Sequence, residues 1–253
     1  MNQKLIRFED VSMEFKDKGQ SFKALDGISF SINSGDVLGI IGESGSGKST
    51  IAKLLSGLHK PSQGKIFFED KEISHLSRKD KKWLHTQVQM VFQNAQGSFN
   101  PRRTIGHSIE ETVCQLCAHT KEEARKKVGE LLADVGLKEE YSRKYPHEMS
   151  GGECQRAAIA RAMAVHPGLL ICDEATSALD VSAQAKIIDL LMHLRKKRHI
   201  HLIFISHDLP LVSTITNKVL IMDKGKIVEE GLTKDVIFHP KTEYTKKLLD
   251  AVL

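Results

Sequence analysis

Four short stretches of the chain are almost wholly apolar, and turn or polar residues bound each of them. They cover residues 37–41, 169–172, 202–205 and 219–222. A strand buried on both faces of a parallel sheet has this continuous apolar character, whereas a half-exposed strand alternates. Helical spacing of apolar residues covers 49–58, 181–198 and 210–215. Strands that alternate with helices predict an α/β fold built on a mostly parallel sheet.

Two parts of the chain depart from this alternation. Near the N-terminus, the residues that favour strands are 5–15, 24–41 and 66–68. From residue 78 to 165 the pattern is mostly helical, which predicts a subdomain set into the sheet domain. We therefore predict one domain over residues 1–253, with a β-rich N-terminal edge and an inserted helical subdomain at 94–165.

Charge and hydropathy argue against a nucleic-acid partner and against a membrane span. The formal net charge is +5. Lys and Arg are spread along the chain without a basic stripe and interleaved aromatic residues, so we expect no nucleic-acid partner. The apolar stretches are far shorter than the roughly 20 residues that a membrane-spanning helix needs. The N-terminus lacks the apolar core of a signal peptide, and we expect the chain to stay in the cytoplasm.

Four cysteines, a set that suits a reducing compartment, occur at Cys114, Cys117, Cys154 and Cys172. The first two form a C-x-x-C pattern, which binds zinc or carries redox chemistry only with suitable partners. The sequence offers no second pair and no nearby Cys/His pair. We interpret the two residues as small apolar groups on one helix face, because residues three apart lie on the same side.

A glycine-rich loop follows the first buried stretch and precedes a predicted helix. It matches the pattern G-x-x-x-x-G-K-[ST]. Glycines let backbone N–H groups approach phosphate oxygens, and the positive end of the following helix faces the same anion. Lys48 adds a cation for the terminal phosphates, and the Ser49 hydroxyl can bind Mg²⁺. The predicted nucleotide-binding residues here are Gly42, Ser44, Gly45, Ser46, Gly47, Lys48, Ser49 and Thr50.

Two carboxylates, Asp173 and Glu174, end the apolar stretch at 169–172. A carboxylate at the end of such a strand, beside a phosphate loop, can hold Mg²⁺, and we assign this role to Asp173. The adjacent Glu174 is placed to polarise an attacking water. The loop and the two carboxylates together predict hydrolysis of a nucleoside triphosphate.

A second candidate anion site begins an alanine-rich helix. It combines a hydroxyl, backbone N–H groups and a helix N-terminus, in the segment Ser150-Gly151-Gly152-Glu153. The segment resembles the signature motif of ABC ATPases, and the chain resembles that family over nearly its whole length. In the family this motif binds the γ-phosphate of ATP held by a partner subunit. Glu153 is a departure, because many members have glutamine there.

The resemblance also assigns the adenine and metal contacts. Phe15 stands where the family places an aromatic ring that stacks on adenine, and Phe22 is the competing candidate. Gln93 matches the Q-loop glutamine, which senses Mg²⁺ and the attacking water. The implied metal ligands are therefore Ser49, Gln93 and Asp173.

Two more motifs follow in the family's order. The D-loop, which crosses the interface between subunits, matches Ser177-Ala178-Leu179-Asp180. His207, which follows a buried strand, matches the switch histidine that contacts the γ-phosphate. The implied catalytic residues are Glu174, His207 and Gln93, with ATP and Mg²⁺ as the bound groups.

A narrower resemblance concerns the cargo. Residues 92–102 are similar to the stretch after the Q-loop in ATPases of dipeptide, oligopeptide and nickel importers, and the tail at 230–249 is similar to theirs. This implies import of small peptides or of nickel and other metal chelates. The chain ends at Leu253, as shorter members of that group do.

The resemblance implies an assembly at the cytoplasmic face of the inner membrane. The expected partners are two transmembrane permease subunits and a second ATPase, either a copy or a related chain, with a solute-binding protein taking part indirectly. The alternatives are a soluble ABC ATPase without a transport role and an exporter ATPase. A GTPase is disfavoured because Asn217-Lys218 lacks the Asp of a guanine-reading motif. A non-enzymatic binding module is disfavoured by Glu174 and His207 together.

Overall fold

Every stretch that the pattern predicts as a buried strand is a strand in the computed structural model, which describes residues 4–17, 20–117, 120–177 and 179–250. The strands are β1 Lys4–Asp17, β2 Gln20–Asn33, β3 Val37–Ile41, β4 Gln63–Phe68, β5 Lys71–Glu72, β6 Val88–Phe92, β7 Leu169–Asp173, β8 His201–Ser206, β9 Lys218–Asp223 and β10 Lys226–Leu232. The helices are α1 Lys48–Leu55, α2 Arg78–Gln87, α3 Ile105–Cys117, α4 Lys121–Asp134, α5 Gly151–Met163, α6 Val181–Arg198, α7 Leu209–Ile215, α8 Thr233–Phe238 and α9 Glu243–Asp250. Short 3-10 turns cover Gln96–Ser98, Glu139–Arg143 and Pro146–Glu148.

These elements divide into two units. The first unit combines the described residues of Met1–Leu84 with those of His201–Leu253, and the second comprises those of His85–Ile200. Strands β1–β5 and β8–β10 belong to the first unit, and β6 and β7 belong to the second with α3–α6. The described residues of 94–165, for which the sequence predicts a helical subdomain, lie in the second unit.

The first unit contains an antiparallel sheet and a set of mostly parallel strands. In the antiparallel sheet the order is β2-β1-β4-β5, which gives the N-terminal edge the β-rich character that the sequence predicts. In the other set, β3 lies between β8 and β9 and is parallel to both, while β10 is antiparallel to β9. All five residues of β3 are buried, which explains why its apolar run does not alternate.

An aromatic cluster closes one end of the antiparallel sheet. Trp83, the chain's single tryptophan, lies on α2 and meets Phe68 of β4 edge-on, with ring centroids 6.3 Å apart. The ammonium of Lys71 lies 4.2 Å from the centre of the Trp83 ring and pairs with Asp80 at 2.7 Å. A cation over an indole face is attracted by the ring quadrupole, so strand β5 is held to α2.

The C-terminal helices α8 and α9 cover an apolar cluster of the first unit. The buried members of this cluster are Ile41, Leu209, Val212, Val219, Ile221, Val236 and Leu249. Strand β10 and both helices follow the last element that the apolar pattern predicts. Leu249 joins α9 to the same cluster as Ile41, the last residue of β3, so the tail packs beneath the start of the phosphate loop.

The second unit corrects one sequence prediction. Residues 88–92 lie inside the stretch predicted as mostly helical, but they form strand β6, which pairs in parallel with β7 from Val88 opposite Leu169 to Phe92 opposite Asp173. Only Val88 and Val91 of β6 are buried, so the strand lacks the continuous apolar run of its neighbours. Pairing with β7, rather than a local pattern, determines this strand.

Helix α4 lies within the stretch predicted as mostly helical and confirms the prediction there. Thr120 caps its N-terminus: the Thr120 hydroxyl accepts a hydrogen bond from the amide of Glu123, and the Glu123 carboxylate accepts one from the amide of Thr120. This reciprocal capping satisfies two amides that the helix leaves unpaired. Among the described residues, no helix is long and apolar enough to cross a membrane.

Candidate functional site

The predicted site residues are divided between the two units. The first unit holds Phe15, Gly42, Ser44, Gly45, Ser46, Gly47, Lys48, Ser49, Thr50 and His207. The second unit holds Gln93, Ser150, Gly151, Gly152, Glu153, Asp173, Glu174 and Asp180. Ala178 of the predicted D-loop lies outside the described residues.

The glycine-rich loop joins β3 to α1, in the strand–loop–helix order that the motif requires. Gly47 has a φ of +103°, and a Cβ there would lie 2.6 Å from the carbonyl oxygen of Ala24. Only glycine fits this left-handed, crowded position. The amide of Gly225 donates to the carbonyl of Ser46 at 3.0 Å, so the loop is braced from the β9–β10 turn.

The side chain of Lys48 lies inside the curve of this loop. It is buried, and its ammonium donates to the carbonyls of Gly42 and Glu43, each at 2.7 Å. Ser49 and Thr50 follow in the first turn of α1, where the helix dipole favours an anion. One cation and a helix N-terminus therefore lie together at this loop.

The two candidates for adenine stacking face each other across a strand pair. Phe15 of β1 is directly opposite Phe22 of β2, and residues opposite each other lie on the same face of the sheet. Phe15 is half-buried and meets the His59 ring edge-on, with centroids 5.4 Å apart. Phe22 is 60% exposed. Both rings could therefore approach one ligand from this face.

His207 lies at the carboxyl end of β8, where the chain turns into α7. Its neighbour Asp208 caps that helix by accepting a hydrogen bond from the amide of Leu211 at 3.0 Å. The amide of Asp208 in turn donates to the hydroxyl of Ser206 at 2.9 Å. His207 itself is exposed, so its imidazole is presented by a turn that is fixed on both sides.

In the second unit, parallel pairing brings the two carboxylates and the Q-loop glutamine to one edge. Phe92 is opposite Asp173 in the β6–β7 ladder, so Gln93 and Glu174 are the next residues on neighbouring strands. Glu174 has a φ of +49°, an uncommon conformation for a residue other than glycine. The amide and hydroxyl of Ser177 both donate to the Glu174 carbonyl, at 3.2 and 3.0 Å.

The signature segment forms the N-terminus of α5. Ser150 is the N-cap: its hydroxyl accepts from the amide of Glu153 at 3.3 Å, and its amide donates to a Glu153 carboxylate oxygen at 2.8 Å. Gly151 and Gly152 occupy the first two helical positions. The helix start is thus built as predicted, with Glu153 serving as the second partner of a capping box.

A cavity of about 350 Å³ unites three predicted motifs of the second unit. Its lining residues are Gln93, Asn94, Ala95, Gln96, Gly151, Gln155 and Leu179. They come from the Q-loop, the signature helix and the D-loop. The amide group of Gln155, which is buried, donates to the Phe92 carbonyl at 3.5 Å, and so connects α5 to the end of β6.

The D-loop ends in a helix cap. Asp180 accepts hydrogen bonds from the amide of Ala183 at 2.9 Å and from the hydroxyl of Ser182 at 2.8 Å. These bonds, with the Ala183 amide as the largest cause, hold the pKa of Asp180 below its ordinary value. Val181, the next residue, is 84% exposed, so an apolar side chain stands outward where the D-loop meets α6.

Two residues that no motif indicated also organise this unit. Arg161 of α5 donates to the carbonyl and the hydroxyl of Ser98, at 2.9 and 2.8 Å, and lies 4.2 Å over the Phe99 ring. It therefore anchors the segment after the Q-loop to the signature helix. The second residue is Tyr141, whose hydroxyl donates to the Glu153 carboxylate.

The cysteines lie in three separate places. Cys114 and Cys117 are both half-buried on α3, three residues apart on one side of the helix. Cys117 lies with its sulfur 3.7 Å from the Ala164 carbonyl. Cys154 is buried in α5, and burial raises the pKa of Cys172 in β7 to about 12. No cluster of three metal-binding side chains occurs within the described ranges.

Comparison with known proteins decides the family. The profile of the ABC transporter family matches residues 25–177. The chain belongs to this family. It is an ABC-type ATPase with the α/β phosphate-loop fold of that family, an ATP-binding and ATP-hydrolysing subunit that powers a membrane transporter.

Two curated relatives and one solved structure illustrate this membership. The chain is 44% identical to the oligopeptide transport ATP-binding protein AppF of Bacillus subtilis, over 94% of this chain and 73% of the relative. It is 39% identical to the dipeptide transport ATP-binding protein DppF of Escherichia coli, over 99% of this chain and 77% of the relative. A dimeric ATP-binding cassette solved in a post-hydrolysis state with ADP and phosphate has a TM-score of 0.81 and 27% identity, over 90% of this chain and 98% of that one.

Proposed function

We propose that this ABC ATPase drives the import of small peptides through a pair of permease subunits, and that ATP is bound and cleaved by the residues predicted above. The cargo proposal is carried by the names of the two relatives, an oligopeptide and a dipeptide transport protein. The assignment of the ATP-binding and catalytic residues is supported by the β3–α1 loop in the first unit, and by the ends of β6 and β7 and the start of α5 in the second.

ATP binding is assigned to the loop between β3 and α1. Lys48 is buried against two backbone carbonyls, which hold its ammonium near the helix N-terminus where phosphate binds best. Backbone amides supply the remaining donors. Phe15, with Phe22 opposite, would stack on adenine, since both rings lie on one face of the β1–β2 pair.

The proposed metal is Mg²⁺, held by Ser49, Gln93 and Asp173. A hydroxyl, an amide oxygen and a carboxylate are the hard oxygen ligands that Mg²⁺ prefers, so the donor types fit this ion. When bound, Mg²⁺ would neutralise charge on the terminal phosphates. The protein residues would hold the metal in place with the triphosphate.

Glu174 is proposed to accept the proton of the attacking water. Its position one residue beyond β7, beside the strand end that carries Gln93, suits a base and a water-sensing amide acting on one molecule. His207 would contact the γ-phosphate as its charge develops. Ser150, with the glycines after it, would bind the γ-phosphate of ATP held by a second ATPase subunit, and Asp180 would lie at that interface.

The variant Glu174→Gln tests the catalytic assignment. It keeps the size and hydrogen-bonding capacity of the side chain and removes the charge, so hydrolysis should fall by about 10²–10⁴-fold, the usual contribution of a positioned base. ATP binding should survive. The ATP-bound variant should accumulate as a homodimer or as a heterodimer with a related ATPase. Size-exclusion chromatography with and without ATP measures this dimer.

Two matched variants separate binding from catalysis in this experiment. Lys48→Ala should abolish MgATP binding, because backbone amides alone cannot neutralise the triphosphate. Ser150→Arg added to Glu174→Gln should prevent the dimer by filling the phosphate position. Normal hydrolysis by Glu174→Gln would mean that another group is the base.

The proposed permease contact is a groove on the second unit. It encloses about 840 Å³ and is lined by charged side chains of both signs, including His107 and Glu110 of α3, Arg125 of α4 and Glu140. Residues 93–103, the segment that joins the Q-loop to the helices, end beside it: Thr104 lines the groove, and the Arg103 guanidinium lies 2.7 Å from the ring nitrogen of His107. A peripheral position on the cytoplasmic face of the membrane follows from this contact.

The cargo is tested by uptake in cells. Deleting the gene should abolish uptake of labelled dipeptides or short oligopeptides, and a plasmid copy should restore it. Uptake of nickel and cobalt chelates measured in parallel distinguishes the metal-chelate alternative. Peptide uptake that is unchanged by the deletion would overturn the peptide proposal, and a selective loss of chelate uptake would replace it.

A further inference from the structure

The carboxylate of Glu153 is held at both of its oxygens. Oε2 accepts from the amide of Ser150 at 2.8 Å, and Oε1 accepts from the hydroxyl of Tyr141 at 2.6 Å. These two bonds, with that of Tyr141 as the larger cause, hold the pKa of Glu153 below its ordinary value. The side chain is therefore an anion at neutral pH with one fixed orientation.

An anion in this position requires explanation, because the same helix N-terminus is proposed to receive phosphate. A carboxylate in the first turn of α5 repels a second anion that approaches the N-terminal amides. In this chain the negative charge of Glu153 must therefore be directed away from the approaching phosphate, and partly offset.

Tyr141 is itself fixed by its surroundings. It lies in the 3-10 turn Glu139–Arg143, and the ammonium of Lys144 lies 4.0 Å from the centre of its ring. The carbonyl of Lys144 accepts from the amide of Ile105 at 2.9 Å. At Gly106 of α3, a Cβ would lie 2.7 Å from the carbonyl oxygen of Ser142, so the absence of a side chain lets the turn lie directly on the helix.

We propose that Tyr141 is a positioning residue for the signature segment: its hydroxyl holds the carboxylate of Glu153 back toward the N-cap, and so lets the helix N-terminus accept phosphate. This inference rests on the proposed binding of ATP between two ATPase subunits. It goes beyond the motif, because Tyr141 precedes the motif and touches no phosphate in its proposed role. Charge-assisted hydrogen bonds of this kind are about twice as strong as neutral ones.

The test is a double-mutant cycle in the Glu174→Gln protein, alone or with its related ATPase. The quantity measured is the ATP concentration that gives half-maximal association, by light scattering. Tyr141→Phe removes only the hydroxyl and should raise that concentration about tenfold, because the freed carboxylate then opposes phosphate. In the Glu153→Gln background the same change should have less than a roughly twofold effect, because the amide carries no charge.

A matched control is Tyr145→Phe, which removes a hydroxyl from a tyrosine four residues away that stacks on His147, with ring centroids 5.6 Å apart. It should leave the ATP requirement unchanged. Equal effects of Tyr141→Phe with and without the Glu153→Gln substitution would overturn the inference, since a merely structural tyrosine would act independently of the charge. So would an unchanged ATP requirement in Tyr141→Phe.

A second measurement detects the hydrogen bond without any nucleotide. The Glu153 carboxylate raises the pKa of the Tyr141 phenol above its ordinary value. Ultraviolet titration, taken as the difference between the parent protein and Tyr141→Phe, isolates this phenol from the two other tyrosines. Glu153→Gln should lower the pKa of the Tyr141 phenol. If that pKa stays the same, this result alone overturns the inference. If the Glu174→Gln protein never forms a dimer in the presence of ATP, the proposed function is contradicted, and the inference that rests on it fails too.

Discussion

Glu229 shows how a single buried carboxylate is stabilised in this chain. It accepts hydrogen bonds from the amides of Lys241 and Thr242, at 3.0 and 3.2 Å, just before α9 begins. Burial alone would raise the pKa of Glu229. Hydrogen bonds from Thr245, Lys241 and Thr242 outweigh that effect and hold its pKa below the ordinary value. The ionised form of Glu229 therefore holds the start of helix α9 in place.

The direction of this shift gives a pH prediction. Because the folded state lowers the pKa, the contribution of Glu229 to stability is fully present above the unfolded-state pKa of about 4.3 and is lost as the pH falls through the lower folded value. Glu229→Gln should reduce the free energy of unfolding by about 1–3 kcal/mol at neutral pH. The difference between wild type and variant should shrink on acidification, measured by urea titrations across pH.

Glu230→Gln is the matched control, because this neighbouring residue is exposed. It should change the free energy of unfolding by less than about 0.5 kcal/mol. Hydrogen exchange of the α9 amides locates the effect. If Glu229→Gln and Glu230→Gln behave alike at every pH, the carboxylate does not hold the tail.

Residues with chemistry in a fixed local spacing could be predicted from the sequence. Lys48 and Ser49 occur in a loop in which binding a phosphate would require glycines, a lysine and a hydroxyl at fixed spacing. Such a motif can be recognised from the sequence without a structure. Tyr141 and Arg161 have no such spacing. Arg161 binds Ser98, 63 positions away, and a contact that folding creates leaves no local pattern.

At the scale of elements, the same limit separates α4 from β6. Helix α4 has both its periodicity and its capping residues, Thr120 and Glu123, within its own sequence, so local information is enough to predict it. Strand β6 is defined by hydrogen bonds to β7, and only two of its five residues are buried. A short strand with that composition, embedded in helical sequence, cannot be recognised from periodicity.

Helix α5 carries more connections than its motif indicates. Its N-terminus is tied to the turn Glu139–Arg143 through Glu153, its middle to the end of β6 through Gln155, and its last turn to Ser98 through Arg161. A helix is stiff over such a length. The segment proposed to meet the permease and the segment proposed to meet the second nucleotide are therefore attached to one rigid element.

At the scale of the whole molecule, this arrangement predicts that transport and hydrolysis can be separated. Arg102 is exposed in the segment after the Q-loop, two residues before Thr104, which lines the proposed permease groove. Arg102→Glu reverses a charge without disturbing a core, so it should reduce peptide uptake in cells several-fold while basal ATPase activity of the purified chain stays within about twofold.

Lys60→Glu, a charge reversal at an exposed residue of the other unit, serves as the control and should leave both activities near the wild-type level. Uptake and ATPase activity lost in equal proportion by Arg102→Glu would indicate a role in folding or catalysis. Uptake unaffected by it would remove this residue from the permease contact.

The single tryptophan gives the molecule a built-in optical reporter. Trp83 lies against Phe68, with the Lys71 ammonium over its ring, and indole emission responds to nearby charge and to water. All tryptophan fluorescence of the chain therefore comes from the end of the antiparallel sheet, where β4, β5 and α2 meet. A change in that emission during unfolding reports when this region of the sheet unfolds. Comparison with a probe on another element then shows whether the whole chain unfolds in one step.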